Sequence, residues 1–338
     1  MTSLKKRRVA NTALEVTELS LGSATMAGIF TEVPDDQARA TVAAGLDAGV
    51  TYFDTAPQYG YGRAEHLVGD GLRDRRQGTV LSTKVGRLLK PYAGTERQRE
   101  AWIKPFPFVQ VYDYSYDAIM RSFDDSRQRL GLAEVEVLYV HDIGVMTHGK
   151  EQNAIYWKQL AEGGYRALLE LKSAGLVKAI GLGVNEWEVC MDAFDLGDWD
   201  VFLLAGRYTL LEQTSLSPFL TSCLARGASI VAGAPFNGGA LMGTGRWNYA
   251  NAPEHIIKRV ADLEAFCKAR NIPIGAAALQ FPLAHKAVCS VLVGPKSPAE
   301  LAGITEWWNV PIPASFWDEL ADAKLVAPGT PLPNGRTA

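Results

Sequence analysis

The chain has 338 residues, of which 47% are hydrophobic and 21% are charged, and its formal net charge is −3. This hydrophobic content is sufficient for a large buried core, and a slightly acidic chain without blocks of like charge is poorly suited to bind nucleic acid or an anionic membrane surface. The composition therefore predicts a globular protein whose partner is a small-molecule substrate.

The basic N-terminal stretch "LKKRR" is followed by "VANTALEVTELSLG", in which polar and charged residues interrupt every apolar run. A signal peptide needs an apolar segment at this point, and no window approaches the roughly 18 to 20 apolar residues of a membrane span. The cysteines lie far apart and form no C-x-x-C pair: Cys190, Cys223, Cys267 and Cys289. We therefore expect buried thiols in a cytoplasmic protein.

From residue 19 onward, short apolar segments alternate with amphipathic ones. The apolar segments predict strands over 19–23, 51–54, 80–84, 137–141, 178–184, 201–205, 229–233 and 290–294. The amphipathic segments predict helices over 35–49, 63–75, 115–131, 165–175, 216–227, 254–271 and 298–308. Strands that alternate with helices pair in parallel. Eight of them without a composition break predict an α/β fold with one domain over 1–338, a single (β/α)8 TIM barrel.

Two segments lie outside this repeat. Residues 7–16 precede the first strand and predict a small β-hairpin that caps the floor of the barrel. The connection 86–114 is long and rich in aromatic residues: Tyr92, Trp102, Phe106, Phe108 and Tyr112. Loops of this length are usually functional or disordered, and the aromatic residues favour an ordered loop over the mouth of the barrel.

Three consecutive predicted strands end in different titratable residues: Asp54, Lys84 and His141. Neighbouring strands lie about 4.8 Å apart, and their carboxyl ends form the face at which such barrels hold active sites. Tyr59 follows Asp54 on a loop, "TAPQYGYG", whose Pro and Gly residues bend the chain back over this face. The sequence therefore predicts that a carboxylate, an ammonium, an imidazole and a phenol converge there.

This set of groups predicts proton transfer at an oxygen atom. A phenol has an ordinary pKa of about 10, and a nearby cation lowers that value. Lys84 would supply the cation and Asp54 would hold it in place, so that Tyr59 serves as general acid and base. His141 would direct the substrate oxygen. Because the set contains no nucleophile, it predicts a hydride-carrying cofactor.

Other chemistries are disfavoured by missing motifs. The histidines show no H-E-x-x-H spacing, so no metal site is expected: His66, His141, His148, His255 and His285. No G-x-S-x-G elbow of a serine hydrolase occurs. No G-x-G-x-x-G follows the first strand, so we do not expect a doubly wound dinucleotide fold.

The segments "FDTAPQYGYGRAEHLVG", "STKVG" and "LYVHD" resemble the signature motifs of the aldo-keto reductase family. The resemblance extends from "LEVTELSLGSATM" to "VGPKSPAEL", which is nearly the whole chain. It implies a barrel that binds NAD(P) in extended form, with Tyr59 as acid and base, Lys84 and Asp54 tuning it, and His141 orienting the substrate.

The resemblance also implies where the cofactor binds. In the family a Ser-Asn pair after the fifth strand holds the nicotinamide carboxamide, and here only Asn185 of that pair is present. The segment "VGPKSPAEL" resembles the diphosphate and adenosine site and leads into a helix N-terminus, which suits an anion. Its candidate residues are Gly294, Lys296, Ser297 and Glu300.

Glu300 stands where NADP-specific members of the family carry a basic residue. Its carboxylate would repel a 2′-phosphate and accept from a ribose hydroxyl, whereas Lys296 would still attract phosphate. The cofactor is therefore expected to be NAD, with NADP possible.

Where the family has an amide and an aromatic residue that stacks on the nicotinamide, this chain has Ala205 and Gly233. Phe236 is a candidate substitute for the stacking residue.

The segments "FLLAGRYTLLEQ", "GLGVNEWEVC", "PFNGG" and "VGDGLR" resemble one branch of the family, the NAD(P)-dependent aldose 1-dehydrogenases of D-threo-aldose or L-fucose type and the related pyridoxal 4-dehydrogenase. Sugars and pyridoxal both form cyclic hemiacetals, whose oxidation gives a lactone. The branch implies oxidation of pyridoxal to 4-pyridoxolactone, or of an aldose to an aldonolactone, with Tyr59 as general base. Trp247 and Tyr249 are candidates to stack on either substrate or to pack in the core.

Two other functions stay open on the sequence. One is an NADPH-dependent aldehyde reductase, against which Glu300 argues. The other is a non-catalytic binding subunit that senses the nucleotide, against which the intact set of four polar residues argues. The oligomeric state has no signature in the sequence.

Overall fold

A computed structural model describes residues 4–96 and 98–338. At its centre, eight parallel strands form a closed barrel in which each strand pairs with the next along the chain and the eighth pairs with the first. In chain order the barrel strands are Leu19–Gly22, Tyr52–Asp54, Val80–Val85, Val137–His141, Ala179–Val184, Val201–Ala205, Ser229–Gly233 and Val288–Val293. The predicted (β/α)8 TIM barrel is confirmed.

The predicted helices are all present, with small changes at their ends: Asp35–Asp47, Arg63–Leu72, Tyr116–Leu130, Tyr165–Ser173, Thr221–Arg226, Glu254–Lys268 and Pro298–Trp308. The sequence pattern missed four others: Val145–Gln159, Glu188–Ala193, Ile274–Gln280 and Ala314–Asp322. Helix Val145–Gln159 has no buried residue and so shows no apolar stripe. Helix Ile274–Gln280 has the opposite property, because an unbroken run of its residues is buried.

Side chains of the barrel strands alternate between two apolar layers. One layer, which includes Val80, Val137 and Tyr139, fills the barrel interior. The other, which includes Leu81 and Val140, packs against the helices. A hairpin of strands Lys6–Arg8 and Glu15–Thr17 closes the floor, and its residues Val9 and Val16 pack into the interior layer. The predicted hairpin cap is confirmed.

Two connections form ordered structure above the opposite end of the barrel. In the third connection, strand Arg87–Pro91 pairs with Phe108–Tyr112 and strand Gln98–Arg99 pairs with Trp102–Ile103. In the seventh connection, strand Arg246–Trp247 pairs with Ala250–Asn251. The guanidinium of Arg246 lies 4.4 Å from the ring centroid of Phe30, so this hairpin reaches across to the first connection. The described part of the connection 86–114 is ordered, as predicted, and residue 97 lies outside the described residues.

All four cysteines are buried and free, as expected. Burial raises the pKa of the Cys289 thiol to about 12 and that of Cys267 to about 11, so these thiols are protonated and poorly nucleophilic at neutral pH. Among the helices within the described residues, none combines the length and the apolar character needed to span a membrane.

Candidate active site

The register of the barrel brings the four predicted polar residues together at the carboxyl ends of its strands. Asp54 lies opposite Ser82, and His141 lies opposite Gly183. Because alternate residues of a strand face the same side, Ser82 and Lys84 both point inward. The third strand continues one residue past Lys84, to Val85, which moves the ammonium slightly below the rim.

Lys84 and Asp54 form a fully buried ion pair. Lys84 Nζ donates to Asp54 Oδ2 at 2.6 Å and to the main-chain oxygen of Thr55 at 2.9 Å. Ser82 Oγ donates to Asp54 Oδ1 at 2.6 Å. Burial raises the pKa of Asp54, and the charge of Lys84 opposes that rise. The lysine is therefore held in one place, and its charge is largely balanced.

The surroundings of this pair are shaped to hold it. A Cβ atom on Gly183 would lie 3.2 Å from Lys84 Cε, so the glycine leaves space for the lysine side chain. Beneath the pair, Tyr52 donates to Ser82 Oγ at 3.1 Å and shares a 2.9 Å hydrogen bond with Tyr139. A chain of hydrogen bonds inside the barrel thus supports Asp54 from below.

The phenol of Tyr59 lies directly beside the lysine. Lys84 Nζ is 4.7 Å from the centroid of the Tyr59 ring. The ring of His141 meets Tyr59 edge-on at 5.7 Å between centroids, and Trp102 lies at 5.9 Å on another side. The structure therefore brings together all four residues of the predicted set.

The expected direction of the Tyr59 pKa was wrong. Burial raises the pKa of this phenol well above its ordinary value, the carboxylates of Asp54 and Asp142 raise it further, and Arg87 opposes them. The physical reason is that Asp54 neutralises Lys84 at 2.6 Å, so the phenol experiences a compensated pair and not a free cation. The protonated phenol is the stable form at neutral pH.

His141 is a neutral imidazole. Burial, followed by the charges of Arg87 and Lys84, lowers its pKa well below the ordinary value. Its Nε2 lies 3.5 Å from Asp142 Oδ2, a separation that gives no ion pair while the ring is neutral. A neutral imidazole retains one N–H donor, which suits a residue that orients a substrate oxygen.

The sequence pattern missed a second buried ion pair beside the first. Arg87 is 2% exposed. Its Nη2 donates to Asp142 Oδ2, and its Nη1 donates to Gln110 Oε1 at 2.9 Å. Arg87 directly follows the motif "STKVG", and Asp142 is the last residue of the motif "LYVHD". The signal was present as two charged residues after neighbouring strands, but the sequence does not show that they pair.

A cavity of about 490 Å³ opens above these groups. Its floor is small and apolar, with Gly183, Leu203 and Ala205. Its walls carry four aromatic side chains from three connections: Phe30, Trp102, Tyr112 and Tyr249. Trp247 packs against the core and donates from Nε1 to Glu212 Oε2 at 2.7 Å. Of the two stacking candidates in the seventh connection, Tyr249 thus faces the cavity and Trp247 belongs to the core.

The predicted nicotinamide contacts have mixed outcomes. Asn185 lines the cavity, and its Nδ2 donates to Asp142 Oδ1 at 3.1 Å. Arg207, which the sequence pattern left without a role, donates from Nε to the main-chain oxygen of Asn185 at 2.8 Å. Phe236 packs on Trp307, 6.0 Å between ring centroids, and does not line the cavity. This cavity therefore gives no support to the suggestion that Phe236 stacks on the nicotinamide, which stays a prediction.

The segment predicted to bind the diphosphate, "VGPKSPAEL", contacts the wall of this cavity. Ala24 lines the cavity, and the neighbouring Thr25 donates from Oγ1 to the main-chain oxygen of Gly294 at 2.8 Å. Ser297 Oγ accepts from the main-chain N–H of Glu300 at 3.1 Å and caps helix Pro298–Trp308. A helix N-terminus that Thr25 and Gly294 connect to the wall of the cavity fits a dinucleotide bound in extended form.

Lys296 and Glu300 contact each other at this helix N-terminus. Glu300 Oε2 accepts from the main-chain N–H of Lys296 at 2.9 Å, and Glu300 Oε1 lies 3.2 Å from Lys296 Nζ. The prediction from the sequence assigned each of the two charges a separate effect on cofactor binding. The structure shows that each partly cancels the other.

Comparison with known proteins agrees with this geometry. The profile of the aldo/keto reductase family matches residues 18–324. The chain is 44% identical to pyridoxal 4-dehydrogenase of Microbacterium luteolum, with 96% of this chain and 98% of that protein covered. It is 35% identical to D-threo-aldose 1-dehydrogenase of Pseudomonas sp, with 94% and 97% covered.

Solved structures share the fold at lower identity. An aldo-keto reductase from Bacillus halodurans in its holo form superposes with a TM-score of 0.73 at 23% identity, covering 96% of this chain and 97% of that one. A glycerol dehydrogenase from Gluconobacter oxydans gives a TM-score of 0.72 at 19% identity, with 96% and 97% covered. These similarities support the barrel alone.

Proposed function

The chain belongs to the aldo/keto reductase family of oxidoreductases, and from that premise we propose that it is an NAD-dependent dehydrogenase that oxidises a cyclic hemiacetal to a lactone. The proposed substrate is pyridoxal, with an aldose such as L-fucose or D-threo-aldose as the alternative. The observation that carries the proposal is the placement of Tyr59 against the buried Lys84–Asp54 pair, with His141 beside it, at the base of one cavity.

Each residue of the set has a distinct part in the reaction. The ionised Tyr59 takes the proton from the hemiacetal hydroxyl, and the ammonium of Lys84 stabilises the phenolate while it exists. The N–H of His141 holds the same oxygen and fixes its direction. A bound oxidised nicotinamide would supply the hydride acceptor for the carbon that bears this oxygen. The O–H and C–H bonds break, the C=O bond of the lactone forms, and the proton leaves through Tyr59.

The residues that would hold the cofactor follow from the same geometry. The amide of Asn185 would meet the nicotinamide carboxamide, since it has both a donor and an acceptor. The N-terminus of helix Pro298–Trp308, with Gly294, Lys296 and Ser297 before it, would hold the diphosphate. Glu300 would accept from a ribose hydroxyl, which favours NAD over NADP.

The function is tested by mixing the protein with NAD and pyridoxal, or NAD and L-fucose, and recording absorbance at 340 nm. The proposal predicts NADH formation together with a lactone product. NADPH oxidation with simple aldehydes, without lactone formation, would instead identify an aldehyde reductase. Nucleotide binding without any turnover would identify a sensing subunit.

The raised pKa of Tyr59 predicts an alkaline rate profile. Only the phenolate accepts a proton, and below the pKa its fraction grows tenfold for each pH unit. We therefore expect the single-turnover rate of oxidation to rise about tenfold per unit between pH 7 and 9. Stopped-flow measurements with saturating NAD and substrate isolate this step from product release. A rate that is constant across this range would mean that the phenol is already ionised.

Glu300→Gln should weaken the preference for NAD. The change removes the carboxylate that would repel a 2′-phosphate, and it frees Lys296 from its 3.2 Å partner. We expect the Kd for NADP to fall about tenfold relative to that for NAD, which corresponds to about 1.4 kcal/mol. Fluorescence titration with both nucleotides measures the ratio of the two Kd values. The matched control is Glu306→Gln, an exposed site on the same helix. An equal change of this ratio in both variants would show that Glu300 does not determine the choice of cofactor.

A further inference from the structure

One wall of the cavity carries an ordered row of polar groups. Arg87 Nη1 donates to Gln110 Oε1 at 2.9 Å, and Gln110 Nε2 donates to Glu100 Oε1 at 3.4 Å. All three residues line the cavity. Arg87 is buried, Gln110 is half-buried and Glu100 is exposed. From the base of the cavity to its rim, the wall therefore presents a guanidinium that is ion-paired with Asp142, an amide and a carboxylate.

The inner end of this row adjoins the reacting groups. Asp142 Oδ2 accepts from Arg87 Nη2 and lies 3.5 Å from His141 Nε2. Arg87 Nε is also buried and makes no hydrogen bond within the described ranges 4–96 and 98–338. Because Nε is buried, only the Nη atoms of Arg87 can contact a ligand in the cavity, next to the position at which His141 would hold the substrate oxygen.

The other walls of the cavity carry aromatic side chains, which favour a flat ligand. Phe30, Trp102, Tyr112 and Tyr249 present aromatic side chains to the cavity. The guanidinium of Arg87 lies 5.0 Å from the ring centroid of Tyr112, so the inner cation is itself backed by an aromatic face. A flat aromatic ligand with separated charges fits such walls better than a neutral sugar does.

Resting on the proposed function, we propose that this wall recognises the zwitterionic 3-hydroxypyridine ring of pyridoxal, with Arg87 binding the phenolate oxygen and Glu100 binding the pyridinium N–H. In pyridoxal the phenolate is on the carbon next to the one that bears the reacting group, and the ring nitrogen is on the opposite side. Placing the hemiacetal oxygen at Tyr59 and His141 therefore directs the phenolate toward the inner cation and the nitrogen toward the rim. An aldose has neither charge, so the wall ranks pyridoxal above the sugars.

Glu100→Gln tests the outer contact, because this exposed position tolerates the change and the side chain keeps its shape. Loss of a charged hydrogen bond should raise the KM for pyridoxal about tenfold, with kcat nearly constant, and lower the selectivity for pyridoxal over L-fucose by the same factor. The matched control is Glu96→Gln in the same connection, where the carboxylate accepts from Tyr92 at 2.8 Å and does not line the cavity.

A binding measurement separates this role from an effect on turnover. The Kd for pyridoxal in the presence of NADH, measured by fluorescence, should rise about tenfold in Glu100→Gln and stay constant in Glu96→Gln. Equal KM and Kd values in the two variants would overturn the contact to Glu100, while the proposed function would stand. No oxidation of pyridoxal by the unmodified protein would instead overturn pyridoxal as the substrate, and a lack of oxidation of both pyridoxal and L-fucose would overturn the proposed function.

The inner contact is tested from the substrate side, because removing Arg87 would leave Asp142 without its partner. The 3-O-methyl ether of pyridoxal has no phenolate but keeps the ring and the reacting carbon. The unmodified protein should oxidise it with a kcat/KM at least tenfold below that for pyridoxal. An equal kcat/KM for the two compounds would show that Arg87 does not bind the phenolate.

Discussion

Replacing Tyr59 by phenylalanine should lower kcat for hemiacetal oxidation by about 10²- to 10⁴-fold, the contribution of a positioned general acid or base. The substitution keeps the aromatic ring that packs between Lys84 and Trp102 and removes only the hydroxyl. The Kd for NAD and the thermal unfolding temperature should stay close to their original values. Steady-state kinetics, fluorescence titration and calorimetry measure the three quantities.

Tyr208→Phe is the matched control for this variant. Tyr208 is buried, and its hydroxyl has no hydrogen-bond partner among the residues that the structure describes. Its ring packs on Phe281 and His285, away from the cavity. The control should keep its kcat within about twofold, since the change removes an unsatisfied hydroxyl far from the substrate. Equal activity in the Tyr59 variant and the control would refute the role assigned to Tyr59.

Lys84→Met should lower the free energy of unfolding by about 3–5 kcal/mol, because it leaves the carboxylate of Asp54 buried without its counter-ion. Both side chains of the pair are 1% exposed, so water cannot replace the lost partner. Urea denaturation at neutral pH measures the loss. The loss should shrink as the pH is lowered, since protonation of Asp54 removes the uncompensated charge.

Combining Lys84→Met with Asp54→Asn separates stability from catalysis. The amide oxygen can still accept from Ser82 Oγ, and neither position carries an unpaired charge, so most of the lost stability should return. Turnover should stay as low as in the single variant, because the phenolate of Tyr59 has no cation beside it. If Lys84→Met were as stable as the original protein, Lys84 would not compensate the charge of Asp54. If the double variant regained turnover, the ammonium of Lys84 would not be needed to stabilise the phenolate of Tyr59.

The sequence predicted that the four candidate residues lie together, because their positions depend on local pattern. Each apolar segment is followed by a polar residue at its carboxyl end. The parallel strands of a barrel place these carboxyl ends side by side. Asp54 and His141 therefore lie where the strand ends placed them. The strand pair Arg87–Pro91 and Phe108–Tyr112 could not be predicted in the same way, because no local signal identifies its partner.

The sequence also could not predict electrostatic effects that depend on more than one pair of charged groups. The prediction for Tyr59 used the sign of the nearest cation and could not include burial or the neutralising effect of Asp54, which together reverse the shift. Lys296 and Glu300 were weighed separately because nothing in the chain order shows that they bond to each other. Both errors arise from desolvation and pairing, which depend on the folded environment.

A deuterium label on the hemiacetal carbon of pyridoxal tests the proposed hydride transfer most directly. The unmodified protein, incubated with NAD and this substrate, should yield 4-pyridoxolactone and reduced nicotinamide that carries one deuterium, both detected by mass spectrometry. Lactone that forms with unlabelled NADH, or no lactone at all from either pyridoxal or L-fucose, would contradict the mechanism.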